Sequence, residues 1–153
     1  MRLWHKDLIP ILPDKQLISQ WRECCCIARN IAVDGIPNHI LVNKIIDYPI
    51  IHFILYIDLV LAEMNKRNFK ISEKSYMSLY NNLEKGKKYY SLAHYQYIPV
   101  YTKDIYRDWH NDRYFTQCYY NLQEKHDCGG ISDKEWQIIL NKGGIKNDTC
   151  RIA

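Results

Sequence analysis

The start of this chain carries two groups that together could perform amine chemistry. The chain begins Met1-Arg2, and an Arg22–Glu23 pair follows on a predicted helix. A terminal α-amine has a pKa about two units below that of a lysine side chain, so part of it is unprotonated at neutral pH. Such an amine can attack an electrophilic carbon, and a carboxylate beside it can assist the proton transfers. The terminal amine and Glu23 are therefore candidate catalytic groups.

On the predicted first helix, Glu23 lies near the middle of the face opposite the buried arc. Successive helical residues are rotated by about 100°, which places Trp21 at the centre of the buried arc. Hydrogen-bonding side chains share the open face with the carboxylate, namely Gln16, Ser19 and Asn30. A row of cations follows one border of the arc and consists of Lys15, Arg22 and Arg29. The pattern fits either a solvated helix face or a functional site.

The functional interpretation requires the first segment to fold back across this helix face. Pro10 and Pro13 keep that segment extended. Its apolar side chains are unusual for a free terminus and predict packing against the rest of the protein; they are Leu3, Trp4, Leu8 and Ile9. Packing of this kind would bring the terminal amine close to Glu23.

Apolar residues recur at helical spacing in five segments, and no segment alternates as a strand does. The first predicted helix covers about 15–33 with Asp14 as its N-cap, and the second runs from Pro49 to residue 66 or 67. The other three begin after Ser72, near Asp112 and at a capping box of Ser132 and Glu135. Glycines are predicted to end these three helices, at positions 86, 129–130 and 143–144. The tyrosine-rich stretch 87–106 is predicted to be a loop.

The predicted fold class is therefore all-α. We expect a single compact helical domain over residues 1–153, with the N-terminal segment packed against the first helix. Residues 127–153 are expected to form a short helical appendage and a mobile tail. A chain of 153 residues is long enough to bury a substantial core, and its net charge of +4 permits a polyanionic partner without requiring one.

The composition argues against a membrane protein, a secreted protein and a metal protein. No signal peptide is recognisable, and the most apolar stretch, 50–61, is too short and too polar to span a bilayer. The six cysteines show no disulfide framework, which favours a cytoplasmic location. Three of them are consecutive, at 24–26, and point about 100° apart on a helix, so they cannot share a tetrahedral site. We expect no metal, no cofactor and no membrane partner.

Several of these motifs resemble the pyrimidine-dimer DNA glycosylase family. The likeness rests on the opening Met-Arg-Leu-Trp, on the Gln16-Leu17 pair, and on the triplet Trp21-Arg22-Glu23, which stands at the family's spacing from residue 1. It continues more weakly through 38–49, 63–67 and 110–114, where a bacterial branch of the family is similar. About the first 125 residues are covered.

The resemblance implies a compact helical DNA repair enzyme acting on double-stranded DNA that contains a damaged base or an abasic site. In the family an α-amine attacks C1′ of the damaged deoxynucleotide and the base leaves. An imine forms, and β-elimination then cuts the strand. Glu23 matches the family's catalytic glutamate, and Arg22 matches an arginine that binds phosphates beside the lesion. The family bends DNA and takes a base out of the stack, which exposes the sugar carbon.

Two positions depart from the family pattern. Some members expose a threonine amine after removal of the first methionine, whereas residue 2 here is Arg2. A methionine before such a long side chain is normally kept, so the reacting amine is expected on Met1, or on Arg2 if Met1 is removed. A family arginine one turn past the glutamate is Cys26 here, and Arg29 could substitute for it from the next turn. The remaining candidates for DNA contact are His5, Lys15, His39 and Asn43.

Two other functions compete with this one. A non-catalytic nucleic-acid-binding protein could keep the fold without the reaction. More remotely, Glu23 could pair with His5 or His39 for acid–base chemistry on another substrate. Most of the chain's tyrosines lie between Tyr89 and Tyr120, where they could stack on bases or simply pack a loop onto the core.

Overall fold

The computed structural model describes residues 1–92 and 102–143, which form α-helices joined by turns and short 3₁₀ helices. The α-helices are α1 (Asp14–Asp34), α2 (Ile50–Lys66), α3 (Glu73–Gly86), α4 (Asp112–Asp127) and α5 (Asp133–Gly143). The 3₁₀ helices are Lys6–Ile11, Asn43–Asp47, Lys87–Tyr89 and Thr102–Asp104. Neither described range contains a strand, and the all-α prediction is confirmed.

The core forms where α1, α2 and the first twelve residues meet. Leu17, Cys24 and Ile31 on α1 and Phe53 and Ile57 on α2 are inaccessible to solvent. The other face of α1 packs along α3, and α5 covers the 3₁₀ helix Lys6–Ile11. No helix in the described ranges has both the length and the apolar character needed to cross a bilayer.

Three of the predicted helix ends form as expected. Ser72 caps α3 by accepting the Ser75 N–H, while the Ser132 N–H donates to Glu135 at 2.9 Å in the capping box of α5. After α4, Gly129 adopts a left-handed conformation with φ of 76°. A side chain there would be strained, so glycine is the favoured residue at this position.

The predicted N-cap of α1 is wrong. Pro13 occupies the cap position, and Asp14 is the first helical residue with no capping hydrogen bond from the preceding side chain. The Asp14 carboxylate instead accepts from Arg67 Nη1 at 3.0 Å. Arg67 also donates to Glu63 at 2.8 Å and to the carbonyl of Leu12 at 2.6 Å, so its guanidinium joins the end of α2 to the start of α1.

Gly86 ends α3 as predicted, but for a different physical reason. Its φ of −82° is open to any residue, so no left-handed turn is involved. A β-carbon at this position would lie 3.1 Å from Ile31 Cγ2 and 3.4 Å from the backbone nitrogen of Ala32. The glycine therefore allows α3 to approach α1 closely.

The predicted loop 87–106 is only partly described. Lys87–Tyr89 and Thr102–Asp104 each form one 3₁₀ turn, and residues 93–101 lie outside the described ranges. The tail from Ile145 onward, predicted to be mobile, also lies outside them.

Candidate active site

The first residues of the chain lie along α1 in an extended conformation. The backbone nitrogen of Arg2 donates to Glu23 Oε2 at 2.9 Å, and the backbone nitrogen of Trp4 donates to Gln20 Oε1 at 2.9 Å. Because residue 2 meets residue 23 and residue 4 meets residue 20, the segment runs antiparallel to α1. The predicted packing of the N-terminal segment against the first helix is confirmed.

Two tyrosines hold the same segment from the other side. The Tyr114 hydroxyl on α4 donates to the Leu3 carbonyl, and the Tyr56 hydroxyl on α2 donates to the Trp4 carbonyl at 2.8 Å. Leu3 is completely buried and Trp4 is almost so. Buried backbone groups require such partners, so three helices together fix the position of the chain start.

A pair of buried histidines anchors the end of this segment. His5 Nδ1 accepts the Asp7 N–H and His5 Nε2 lies 2.8 Å from the His110 carbonyl, so the proton of the neutral ring belongs on Nε2. His110 Nδ1 accepts the Lys6 N–H at 3.0 Å. Burial lowers the pKa of His5 and lowers that of His110 further, because the charged form of each ring would be desolvated.

This histidine pair predicts loss of stability in mild acid. A lowered folded-state pKa means that the unfolded chain binds more protons below its own pKa of about 6.5. We therefore expect stability to be full above pH 7 and to decline as the pH falls toward 5. The decline should be about 1.4 kcal/mol per pH unit for each ring that titrates only in the unfolded state. Urea unfolding at several pH values measures this decline in the free energy of unfolding.

The variant His110→Gln supplies the control for this pH dependence. Glutamine can still accept the Lys6 N–H through its side-chain oxygen but does not titrate. Its stability should fall less between pH 7 and pH 5 than that of the parent protein. An unchanged pH slope would assign the acid loss to other groups.

A cleft of about 490 Å³ opens at the contact between Arg2 and Glu23. The lining comes from the chain start, from α1, from the loop after α1 and from α4. Its lining residues are Met1, Arg2, Trp4, Lys15, Gln16, Ser19, Glu23, His39, Leu41, Asn121 and Lys125.

The structure brings five of the nine predicted site residues together in this cleft: Met1, Arg2, Lys15, Glu23 and His39. Arg22 and Arg29 are exposed on α1 outside the lining.

His5 is 3 % exposed with both ring nitrogens engaged, so it supports the chain start rather than facing the cleft. Asn43 does not line the cleft, and its Oδ1 accepts the N–H of the lining residue His39 at 2.9 Å.

The first half of the chain matches the family model described as pyrimidine dimer DNA glycosylase, over residues 1–77. The chain belongs to this family. No curated protein and no solved structure matches it. The matched range holds the docked chain start, α1, the His39 loop and α2, and therefore most of the cleft. Because this is a family of DNA glycosylases, the substrate is DNA and the reaction is of the DNA glycosylase kind.

The charge of the cleft suits the DNA substrate of a glycosylase. Arg2, Lys15 and Lys125 line the cleft together with Glu23, the single carboxylate among the lining residues. Arg2 stacks its guanidinium over Trp4, 5.8 Å from the ring centroid, and its Nη1 lies 3.9 Å from Cys118 Sγ. Cations around a concave site attract a phosphate backbone and hold it in register.

The cleft includes residues that the sequence did not single out as site residues. Asn121 and Lys125 lie one turn apart on α4, beyond the matched range, and both line the cleft. Their spacing on one helix face was visible in the sequence, but nothing showed that this face meets the chain start.

Gln16 also lines the cleft, as its predicted place on the open face of α1 with Glu23 suggested. Its buried Oε1 has no hydrogen-bond partner among the described residues.

The described tyrosines are divided between packing and surface roles. Tyr90, Tyr106, Tyr114 and Tyr119 are buried, whereas Tyr89 and Tyr120 are 40 % and 58 % exposed. Trp109 and His110 lie within the same buried aromatic cluster as Tyr106. Core packing therefore accounts for most of the aromatic residues that the structure describes in this region.

Proposed function

We propose that this protein is a DNA glycosylase with AP-lyase activity, in which the terminal amine attacks C1′ and Glu23 assists. The observation that carries the proposal is the 2.9 Å contact between the Arg2 backbone nitrogen and Glu23, at the edge of the cationic cleft. This contact supports a site in which a carboxylate lies beside the start of the chain. A sugar bound in the cleft would then be within reach of both groups.

The proposed reaction proceeds through an imine. The amine nitrogen bonds to C1′ as the glycosidic bond breaks, and the base leaves with the bonding electrons and takes up a proton from solvent. One amine proton moves to O4′ as the sugar ring opens, which gives a protonated imine. A C2′ proton then passes to solvent, and the 3′ phosphate leaves with the electrons of the C3′–O bond, which cuts the strand. Glu23 would carry the proton from nitrogen to O4′ and stabilise the cationic sugar.

The reacting amine belongs to Met1 if that residue is retained and to Arg2 if it is removed. The Arg2 nitrogen that contacts Glu23 is a peptide nitrogen in the chain as it stands, and a peptide nitrogen is not a nucleophile. Met1 is half-buried and lines the same cleft, so its amine is one residue away from that contact. Removal of Met1 would turn the contacting nitrogen itself into the amine. Both forms of the site use the same carboxylate.

The cations along α1 are proposed to bind the DNA backbone. Lys15 lines the cleft, while Arg22 and Arg29 continue the exposed row on the same helix. His39 also lines the cleft and would face the damaged nucleotide, and Asn43 would act through His39 by holding its backbone. The proposed lesion-containing duplex would therefore lie across α1 with its sugar toward Glu23.

Borohydride trapping on a duplex with one abasic site tests the proposal. Borohydride reduces the imine to a stable amine, and we expect a covalent adduct on the N-terminal peptide. Peptide mass also shows whether Met1 or Arg2 carries it. An adduct on Lys15 or Lys125 instead would contradict the proposed nucleophile. Salt-sensitive binding without any adduct would favour the non-catalytic nucleic-acid-binding alternative.

A further inference from the structure

Two adjacent apolar side chains stand exposed at the rim of the cleft. Ile40 is 87 % exposed, and Leu41 is 46 % exposed and lines the cleft itself. Both belong to the loop between α1 and the 3₁₀ helix Asn43–Asp47. The next residue, Val42, is completely buried, so the loop is anchored to the core immediately behind its apolar tip.

Hydrogen bonds hold this tip in one conformation. The His39 carbonyl accepts the N–H groups of Val42 and Asn43 at 2.9 Å each. The His39 N–H donates to Asn43 Oδ1 at 2.9 Å, and the Leu41 N–H donates to His39 Nδ1 at 3.3 Å. These bonds leave the loop little freedom to turn its apolar tip inward.

The residue before His39 has an uncommon backbone conformation. Asn38 has a φ of 62°, in the left-handed region, and its Nδ2 donates to Asp34 Oδ2 at 2.6 Å. Asparagine tolerates this region better than most residues, but the conformation still requires support from its surroundings. The loop therefore turns sharply at Asn38, and Ile40 projects into solvent beside the cleft.

We propose that Ile40, with Leu41 beside it, is an apolar wedge that enters the base stack next to the damaged nucleotide. This inference rests on the proposed function, since an amine can reach C1′ in a duplex only after the stack has been opened. Apolar side chains inserted between base steps compensate for lost stacking and hold the duplex bent. Cations of the cleft would hold the backbone while Ile40 fills the opened step.

The wedge predicts an effect on duplex DNA that exceeds the effect on single strands. The test measures the rate of strand cutting at an abasic site in a duplex and the rate at the same site in a single strand. In Ile40→Ser the ratio of duplex to single-strand cutting should fall about tenfold, because only the duplex has a stack to open. Ile40→Leu keeps an apolar tip and should keep the ratio. Val33→Ser, at a side chain 72 % exposed on α1, is the matched control.

A fluorescent base reports the opened stack directly. With 2-aminopurine beside the abasic site, binding of the parent protein should raise the fluorescence, and Ile40→Ser should lose most of that rise. An unchanged cutting ratio and an unchanged fluorescence rise in Ile40→Ser would overturn the wedge while leaving the proposed function intact. A parent protein that binds and unstacks the duplex without cutting would contradict the proposed catalysis and support the wedge. Absence of any duplex binding would overturn both.

Discussion

Glu23→Gln is expected to lower the rate of strand cutting at an abasic site by about 10²- to 10⁴-fold, the usual contribution of a positioned acid–base group. The substitution removes the charge and the proton-carrying oxygen but preserves the shape of the side chain. Glutamine can still accept the Arg2 N–H through its amide oxygen, so the chain start should stay docked. The loss is therefore expected in the chemical step.

Binding and folding measurements separate this chemical loss from a structural one. The affinity of Glu23→Gln for an abasic duplex, measured by fluorescence anisotropy, should equal or exceed that of the parent because one negative charge leaves a cationic cleft. Glu84→Gln, at an exposed glutamate on α3, is the matched control and should cut at the parent rate. Cutting by Glu23→Gln at the parent rate would remove Glu23 from the mechanism.

Extending the chain by Gly-Ser before Met1 is expected to abolish imine formation. The extension turns the Met1 amine into an amide, whose nitrogen lone pair is delocalised and no longer nucleophilic. It also displaces the new terminal amine from the cleft by two residues, which is about 7 Å of extended chain. Borohydride trapping and strand cutting on the abasic duplex should both fall to background.

The same dipeptide at the other end of the chain is the control for this extension. A C-terminal Gly-Ser leaves the chain start free and should trap DNA at the parent rate. Thermal unfolding of the N-terminally extended protein should match the parent, because the contacts from Leu3 to Lys6 do not involve the terminal amine. Trapping by the extended protein at the parent rate would show that another amine reacts.

Most helix boundaries could be predicted because they depend on local chemistry. Ser72, the Ser132–Glu135 pair and Gly129 each act within one turn of their own position, so the sequence around them is sufficient. The prediction for Asp14 was wrong because Pro13 occupies the cap position, and the Asp14 carboxylate pairs instead with the Arg67 guanidinium, which is 53 residues away in the chain. Capping preferences are local, so they do not predict which distant side chain will contact the carboxylate.

The candidate site shows the same division between local and distant information. The helical period placed Glu23, Gln16 and Ser19 on one face of α1, and the apolar start of the chain predicted that it packs against that helix. His5 was harder to assign, because its place depends on His110, a residue 105 positions away that shares its buried cluster. A histidine has the same sequence signature whether it faces a cleft or a core.

The amino-acid sequence by itself determined the all-α class, the first helix with Glu23 on its open face, and the family. Its apolar first residues also predicted that the chain start packs against that helix. The class, the first helix and the family depend on helical period, local capping and a motif within the first 23 residues, all of which short stretches of chain encode. The docked position of the chain start also depends on the distant residues Tyr56 and Tyr114. Only the tertiary structure decided that α4 supplies Asn121 and Lys125, that His5 faces inward and that Ile40 projects at the cleft rim. The physical reason is that each of these depends on which surfaces meet when distant helices pack, and contacts of that range leave no periodic trace in the chain.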